Sequence, residues 1–289
     1  MNKIYQMGSV ILALRDFPIY DKWPFRDWKL DPYTIESGVP DITVCYGKAP
    51  TDQDRSLVWQ TSTLYAQRQI YILDDGGVLW QQIETVTGRI ELQFYVQKDW
   101  KTIIVVSDET QTCGMAVFEA LTFFIFFAML KKVILTFHGA LLEHNGKGIL
   151  LVGESGVGKS THARLWRNYK NALIINGDRG TCYQKDGRWI GFGTPWCGTS
   201  GEYVNREIPI QVVVILRQGM KNSVVPLLGI EMLQEVIPHM ICPEWDLCMK
   251  EEVLNLLNSF LDCVPVVSLE CTPDERAVDT LQQYLEKEL

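Results

Sequence analysis

The 289-residue chain is long enough for one large domain or two ordinary ones, and its 47% hydrophobic and 21% charged residues are usual for a globular protein. A formal net charge of −8 argues against nucleic acid as the main partner, because a phosphate backbone needs clustered Lys and Arg. The eight cysteines form no Cys-x-x-Cys pair and have no histidine at zinc spacing, which predicts reduced thiols and a cytoplasmic location rather than a disulfide frame.

At the start, Met1-Asn2-Lys3 runs straight into strand-like chain, with no secretory pattern. Strands are predicted at Tyr5 to Leu14, Ile42 to Tyr46, Ser62 to Leu73, Val78 to Val86, Arg89 to Val96 and Lys101 to Val106. Asp74-Asp75-Gly76-Gly77 and Thr87-Gly88 supply hairpin turns between them. The irregular stretch Pro18 to Val39, with Trp23, Phe25, Trp28 and Tyr33, is predicted to wrap this sheet, a more frequent role for such aromatics than a binding face. No catalytic constellation occurs here, so residues 1–112 read as a small α+β accessory domain. Ala116 to Leu130 is apolar but short for a membrane span, carries Glu119 and ends at Lys131-Lys132. It reads as a core helix leading into a second domain at 113–289, and no membrane partner is expected.

In that second domain Val133 to Leu142 is a predicted strand, His144 to Lys147 a hairpin turn, and Gly148 to Val152 the return strand. There follows Gly153-Glu154-Ser155-Gly156-Val157-Gly158-Lys159-Ser160, two glycines five apart and then lysine and a hydroxyl residue, the pattern of a phosphate-binding loop. Thr161 onward reads as a helix. Strand, glycine loop and helix N-terminus together surround a polyphosphate with backbone N–H groups. In such a loop Lys159 neutralises the terminal phosphates and the Ser160 hydroxyl holds Mg²⁺. The alternative is a plain glycine turn with a surface lysine, which the flanking strand and helix disfavour.

Ala172 to Ile175 is the next strand, ending at Asn176-Gly177-Asp178. Phosphoryl transfer needs a metal-side carboxylate and a base for the acceptor. Asp178 is the natural metal-side candidate, against the plain reading of a turn aspartate. For the base, His138 sits in the strand hairpinned to the loop strand, and a satisfied core histidine competes with a catalytic one. His162 and His144 read as solvated or capping. Thr181 to Gln184 and Arg188 to Phe192 form another predicted hairpin, and Gln211 to Leu216 a buried strand. The stretch Gly193 to Glu202, with Thr194-Pro195-Trp196, suggests a rigid loop at a strand end, where Glu202 could bind metal or an amine or be structural. Arg217 and Arg206 could reach a phosphate but read more simply as surface charges. Helices are predicted at Met232 to Ile237, Lys250 to Phe260 and Pro273 to Leu289, the last with Thr272 as cap. This order departs from repeated strand-helix-strand units and predicts an α/β domain whose mixed sheet is rich in hairpins.

With His138-Gly139, the Asn-Gly hairpin, the loop Gly-Glu-Ser-Gly-Val-Gly-Lys-Ser and Asp178-Arg179, the chain resembles the HPr kinase/phosphorylase family over roughly residues 131 to 217. That family shares its fold with ATP-dependent phosphoenolpyruvate carboxykinase. Gly193-Thr194-Pro195-Trp196 and Val264 to Pro273 look more like its divergent members, some of which phosphorylate a serine of ribosomal peptide precursors such as lasso peptides. The resemblance implies ATP and Mg²⁺ as cofactors, with Gly153, Glu154, Ser155, Gly156, Val157, Gly158, Lys159, Ser160 and Thr161 binding the nucleotide. It implies Ser160 and Asp178 at the metal, and His138, Lys159 and Asp178 as the catalytic set. One departure is visible: the family usually shows two adjacent aspartates after this strand, and Gly177 stands in the first place. Asp178 then combines both roles, or a carboxylate such as Glu202 or Glu154 substitutes, or activity is lost. The expectation is a kinase for a hydroxyl of a peptide or small protein, with self-association left open. The rivals are a non-catalytic ATP-binding regulatory protein and a small-metabolite kinase.

Overall fold

The computed structural model describes residues 3–15, 29–50, 53–106 and 114–288. Contacts divide the chain into two compact units, Met1–Lys132 with Pro243–Leu247, and Val133–Cys242 with Cys248–Leu289. The division thus falls after Lys132, not between 112 and 113 as read from the sequence. The reason is helix α1 (Gly114–Leu130), which is apolar around most of its circumference. Phe124 packs on Trp80 and Phe94 with centroids 5.8 and 5.4 Å apart, and Phe127 lies 6.0 Å from Trp100. From Val117 to Leu130 only Glu119 and Phe123 are exposed, as a helix inside a core requires. Among the described residues no helix is long and apolar enough to cross a membrane. Trp245, in the short returning segment, completes the aromatic cluster 5.4 Å from Phe127 and 6.4 Å from Trp59.

The first unit holds a nine-stranded mixed sheet. The single strand expected over Tyr5 to Leu14 is instead a hairpin of β1 (Lys3–Met7) and β2 (Val10–Arg15), turned at Gly8 with φ 55°. After β3 (Thr34–Ile35) and β4 (Ile42–Tyr46), strand β5 (Arg55–Ser62) pairs with β6 (Ala66–Leu73) at the sheet edge. Strand β5 was not foreseen, because its largely exposed face carries no alternating apolar pattern. Strands β7 (Val78–Glu84), β8 (Ile90–Val96) and β9 (Thr102–Val106) follow as expected. Trp23, Phe25 and Trp28 lie outside the described residues, while Tyr33 is buried beside β1.

The second unit is built on a mixed eight-stranded sheet. Its strands are β10 (Ile134–His144), β11 (Lys147–Val152), β12 (Leu173–Asn176), β13 (Arg179–Lys185), β14 (Arg188–Phe192), β15 (Glu207–Gln218), β16 (Ser223–Leu227) and β17 (Val266–Cys271). Hairpins join β10 to β11 and β13 to β14, as the Asn-Gly and Asp-Gly turns dictate. Strands β11, β10, β13, β14 and β15 pair in succession, and a parallel β11–β15 pairing closes them into a ring. Beyond β15 the sheet continues through β17 to the edge strand β16. Neither was read as a strand from the sequence. Pro226 hides β16, yet a proline is tolerated at an edge, where one side of the backbone needs no partner.

Helices α2 (Lys159–Lys170) and α5 (Glu275–Glu288) cover one face: Ala163, Trp166, Val278 and Leu281 bury against Leu142, Leu151, Val214 and Leu269. Helix α4 (Leu247–Leu261) brings Phe260 to 5.3 Å from Phe137 and 5.1 Å from Trp189. Each such side chain contributes about 1.5–3 kcal/mol on burial. The short helix α3 (Gly229–Val236) follows β16.

Candidate functional site

Strand β11 delivers the chain to Gly153, whose φ is 148° and where an added Cβ would stand 2.9 Å from the Leu216 carbonyl oxygen. A glycine is therefore required for the loop to leave the sheet so close to β15. Gly156 and Gly158 also have positive φ, 80° and 112°. Gly158 precedes the first turn of α2, and its carbonyl accepts the His162 N–H at 2.8 Å. Glu154, Ser155, Gly156, Ser160 and Thr161 are exposed, with Val157, Gly158 and Lys159 half-buried. The loop at the positive end of α2 is thus open to solvent, as an anion site requires, with the Val157 N–H donating within the loop to the Glu154 carbonyl at 3.3 Å. The Lys159 ammonium lies across its own loop, donating to the carbonyls of Gly153 at 2.8 Å and Glu154 at 3.0 Å. Burial pushes its pKa down, Asp178 opposes that, and Arg179 adds to it.

Opposite in sequence but close in space, β12 ends at the fully buried Asn176. Its amide donates to the carbonyls of Thr194 at 2.9 Å and Trp196 at 3.1 Å, and its Oδ1 accepts from the backbone N–H of Asp178 at 3.0 Å and Arg179 at 2.7 Å. One side chain therefore shapes the Gly177-Asp178 turn and ties it to the Thr-Pro-Trp loop. The carboxylate of Asp178 takes Arg179 Nη1 at 2.7 Å and approaches His138 Nδ1 to 3.6 Å. A register shift at His138/Gly139, both of which pair with Arg179, places His138 at a bulge. Arg179 Nη1 also contacts His138 Nδ1. Burial first, then Arg179 and Lys159, lower the His138 pKa, against the raising effect of Asp178. A guanidinium has donors only, so Nδ1 is the accepting partner in this contact, and the lowered pKa favours the neutral ring beside Asp178. Lys159, Asp178, Arg179 and His138 thus form one electrostatic cluster.

Gly177 is constrained by sterics. An added Cβ would stand 2.4 Å from Ser200 Oγ and 2.7 Å from Ser200 Cβ. Ser200 is itself held by donating to the Cys197 carbonyl at 2.6 Å. An aspartate cannot occupy position 177 unless Ser200 moves. Gly198, with φ 54°, lies against Asp178, since a Cβ there would stand 2.3 Å from Asp178 Oδ2. The Gly193 to Glu202 stretch therefore borders the Asp178 carboxylate. Glu202 is engaged by Arg167 of α2, and its backbone carbonyl accepts the Gly177 N–H at 2.9 Å.

Other sequence candidates are placed elsewhere. Arg206 pairs with Glu143 at 2.6 Å and Arg217 with Glu235 at 2.7 Å, the surface charge pairs that the simpler reading expects. His162 is not solvated, as its position in the first helical turn suggested. It is buried under α2, accepts Trp166 Nε1–H at 3.2 Å, and burial drives its pKa to about 4. His144 packs edge-on against Trp166 at 5.1 Å. The sequence reading overlooked His239, in the turn Ile237–His239 after α3. The next residue, Met240, bridges Phe137 in antiparallel fashion, and the Ile241 N–H donates to the Thr136 carbonyl at 2.8 Å. No local signal marks it, because only this long-range bridge brings it beside His138.

Among the described residues no group of three or more His, Cys, Asp and Glu side chains could hold a metal by themselves. Hydroxyl and carboxylate oxygens such as those of Ser160 and Asp178 are of the donor type Mg²⁺ takes beside waters and substrate phosphates, although Asp178 here holds Arg179 at 2.7 Å.

No protein-family model matches the chain, and no curated protein sequence does. Among solved structures it is similar to the HPr(Ser) kinase/phosphatase from Coxiella burnetii, at 12% identity and a TM-score of 0.32 over 52% of this chain and 95% of that one. A likeness so distant carries no argument about the chemistry, which the chain's own residues must supply.

Proposed function

We propose that the protein is an ATP- and Mg²⁺-dependent phosphotransferase that moves the γ-phosphoryl group onto a hydroxyl, serine first among them, of a peptide or small protein. In peptide natural-product biosynthesis the acceptor would be a precursor peptide. The observation that carries this reading is the open glycine loop at the start of α2, with Lys159 electrostatically linked to Asp178, Arg179 and His138. Loop amides from Gly153 to Thr161 hold the phosphates, and Lys159 exchanges its two carbonyl partners for phosphate oxygens. Ser160 and Asp178 would hold Mg²⁺, which when bound neutralises charge on the phosphate oxygens. The acceptor oxygen forms a bond to the γ-phosphorus as the bond to the β–γ bridging oxygen breaks, and ADP leaves. The acceptor's proton passes to Asp178, because His138 Nδ1 is already occupied by Arg179. His138 acts as a donor through Nε2–H, toward the transferred group.

Transfer of label from γ-labelled ATP to candidate peptides tests this. Lys159→Ala should abolish transfer, and Asp178→Asn should reduce it about 10²–10⁴-fold, the usual effect of losing a general base. Unchanged turnover in both variants would remove the assignment. The exclusion of an aspartate from position 177 favours a second reading, a nucleotide-binding regulatory protein. It would show as tight ATP binding with no transfer and no hydrolysis.

A further inference from the structure

We infer that His239 is a terminal-phosphate contact, a residue that joins Lys159 on the outermost phosphate of a bound nucleoside triphosphate and so separates triphosphate from diphosphate. This rests on the reading of the glycine loop as a triphosphate site. The bridge between Phe137 and Met240 brings the adjoining residues His138 and His239 near one another, His239 closing the 3-10 turn Ile237–His239. Phe137 packs in the core against Phe260, while His138 and His239 are both half-buried.

The charges acting on His239 agree with this placement. After burial, the largest effects lowering its pKa come from Lys159 and His138, and Glu235 and Glu154 oppose them. Two of these, Lys159 and Glu154, belong to the phosphate loop itself. The turn is also tied mechanically to the loop's flank. Gln218 at the end of β15 donates to the Val157 carbonyl at 3.3 Å, and the preceding Arg217 pairs with Glu235 of α3 at 2.7 Å. The end of β15 thus links the loop to the helix that delivers His239. Of the four histidines, His144 and His162 are engaged with Trp166 on α2, and the other two converge on the loop. A histidine placed beside a phosphate lysine offers an N–H to an anionic oxygen.

The test compares direct binding of ATP and ADP, each with Mg²⁺, to the full chain by titration calorimetry. His239→Ala should weaken ATP binding about tenfold, the scale of one hydrogen bond to a charged group, and leave ADP within about twofold. His239→Arg should restore the preference for ATP, and Lys159→Ala should weaken both nucleotides. Equal losses for ATP and ADP, or no loss for either, would overturn the inference. His239→Gln, measured in the same way with an unchanged thermal midpoint, covers the case in which the alanine variant does not fold. If the unaltered protein binds neither nucleotide, it is the loop assignment that fails; if it binds ATP and His239→Ala is silent, only the role of His239 fails.

Discussion

His162 cannot gain a proton without forfeiting a bond, since its Nε2 accepts from the Trp166 indole in the interior. Its folded pKa of about 4 lies below the ordinary 6.5. In the unfolded chain the ring takes a proton as pH falls through about 6.5, while the folded ring refuses it until near 4. Stability is therefore full above pH 7 and declines between these limits, by about 2 kcal/mol between pH 7 and 5. Urea unfolding at the two pH values should show that decline reduced by this amount in His162→Gln. An identical decline in both proteins would show that His162 is not its source. The sequence displayed this histidine but not its surroundings. Spacing on a helix gives a residue's face, whereas the depth of that face depends on α5 and the sheet folding over it. His239 went unseen for the same reason, because its neighbours come from a strand about a hundred positions earlier.

At the scale of elements, the hairpins β10–β11 and β13–β14 were legible because Asn-Gly and Asp-Gly turns carry their own geometry. The β1–β2 turn was not, since Gly8-Ser9 interrupts an otherwise apolar run without a polar cluster. Strand β17 was passed over between helical patterns, although five of its residues pair with β16 and six with β15. Within the site, loop and strand were readable, but the interlock of the β12 turn with Ser200 was not. That interlock makes a prediction. Gly177→Ala should destabilise the protein by about 1–3 kcal/mol, the usual effect of overpacking, although position 177 has no unusual backbone angle. Adding Ser200→Gly should recover part of the loss, so that the two changes are non-additive in a double-mutant cycle of urea midpoints. Simple additivity would show that Ser200 is not the obstacle.

For the whole molecule, the boundary at Lys132 has a practical consequence. A chain cut before residue 113 retains α1 while losing the sheet of the first unit. Phe118, Phe124, Phe126 and Phe127 would then be exposed together, well beyond what a soluble monomer tolerates. A chain beginning at Val133 avoids this. The shorter chain should stay monomeric in size-exclusion chromatography and bind little hydrophobic dye, whereas the longer one should aggregate. The opposite ranking would place α1 with the second unit, as the order of predicted elements suggested.

The ring of strands in the second unit gives the glycine loop a fixed rim. Because β11 is flanked by β10 on one side and β15 on the other, its backbone amides are engaged right up to Val152. If the proposed function holds, nucleotide capture can therefore recruit no hinge from beneath the glycines. Any closing movement is left to the two borders of the site, the stretch around Ser200 and the turn bearing His239, and amide exchange slowed by nucleotide should be concentrated there.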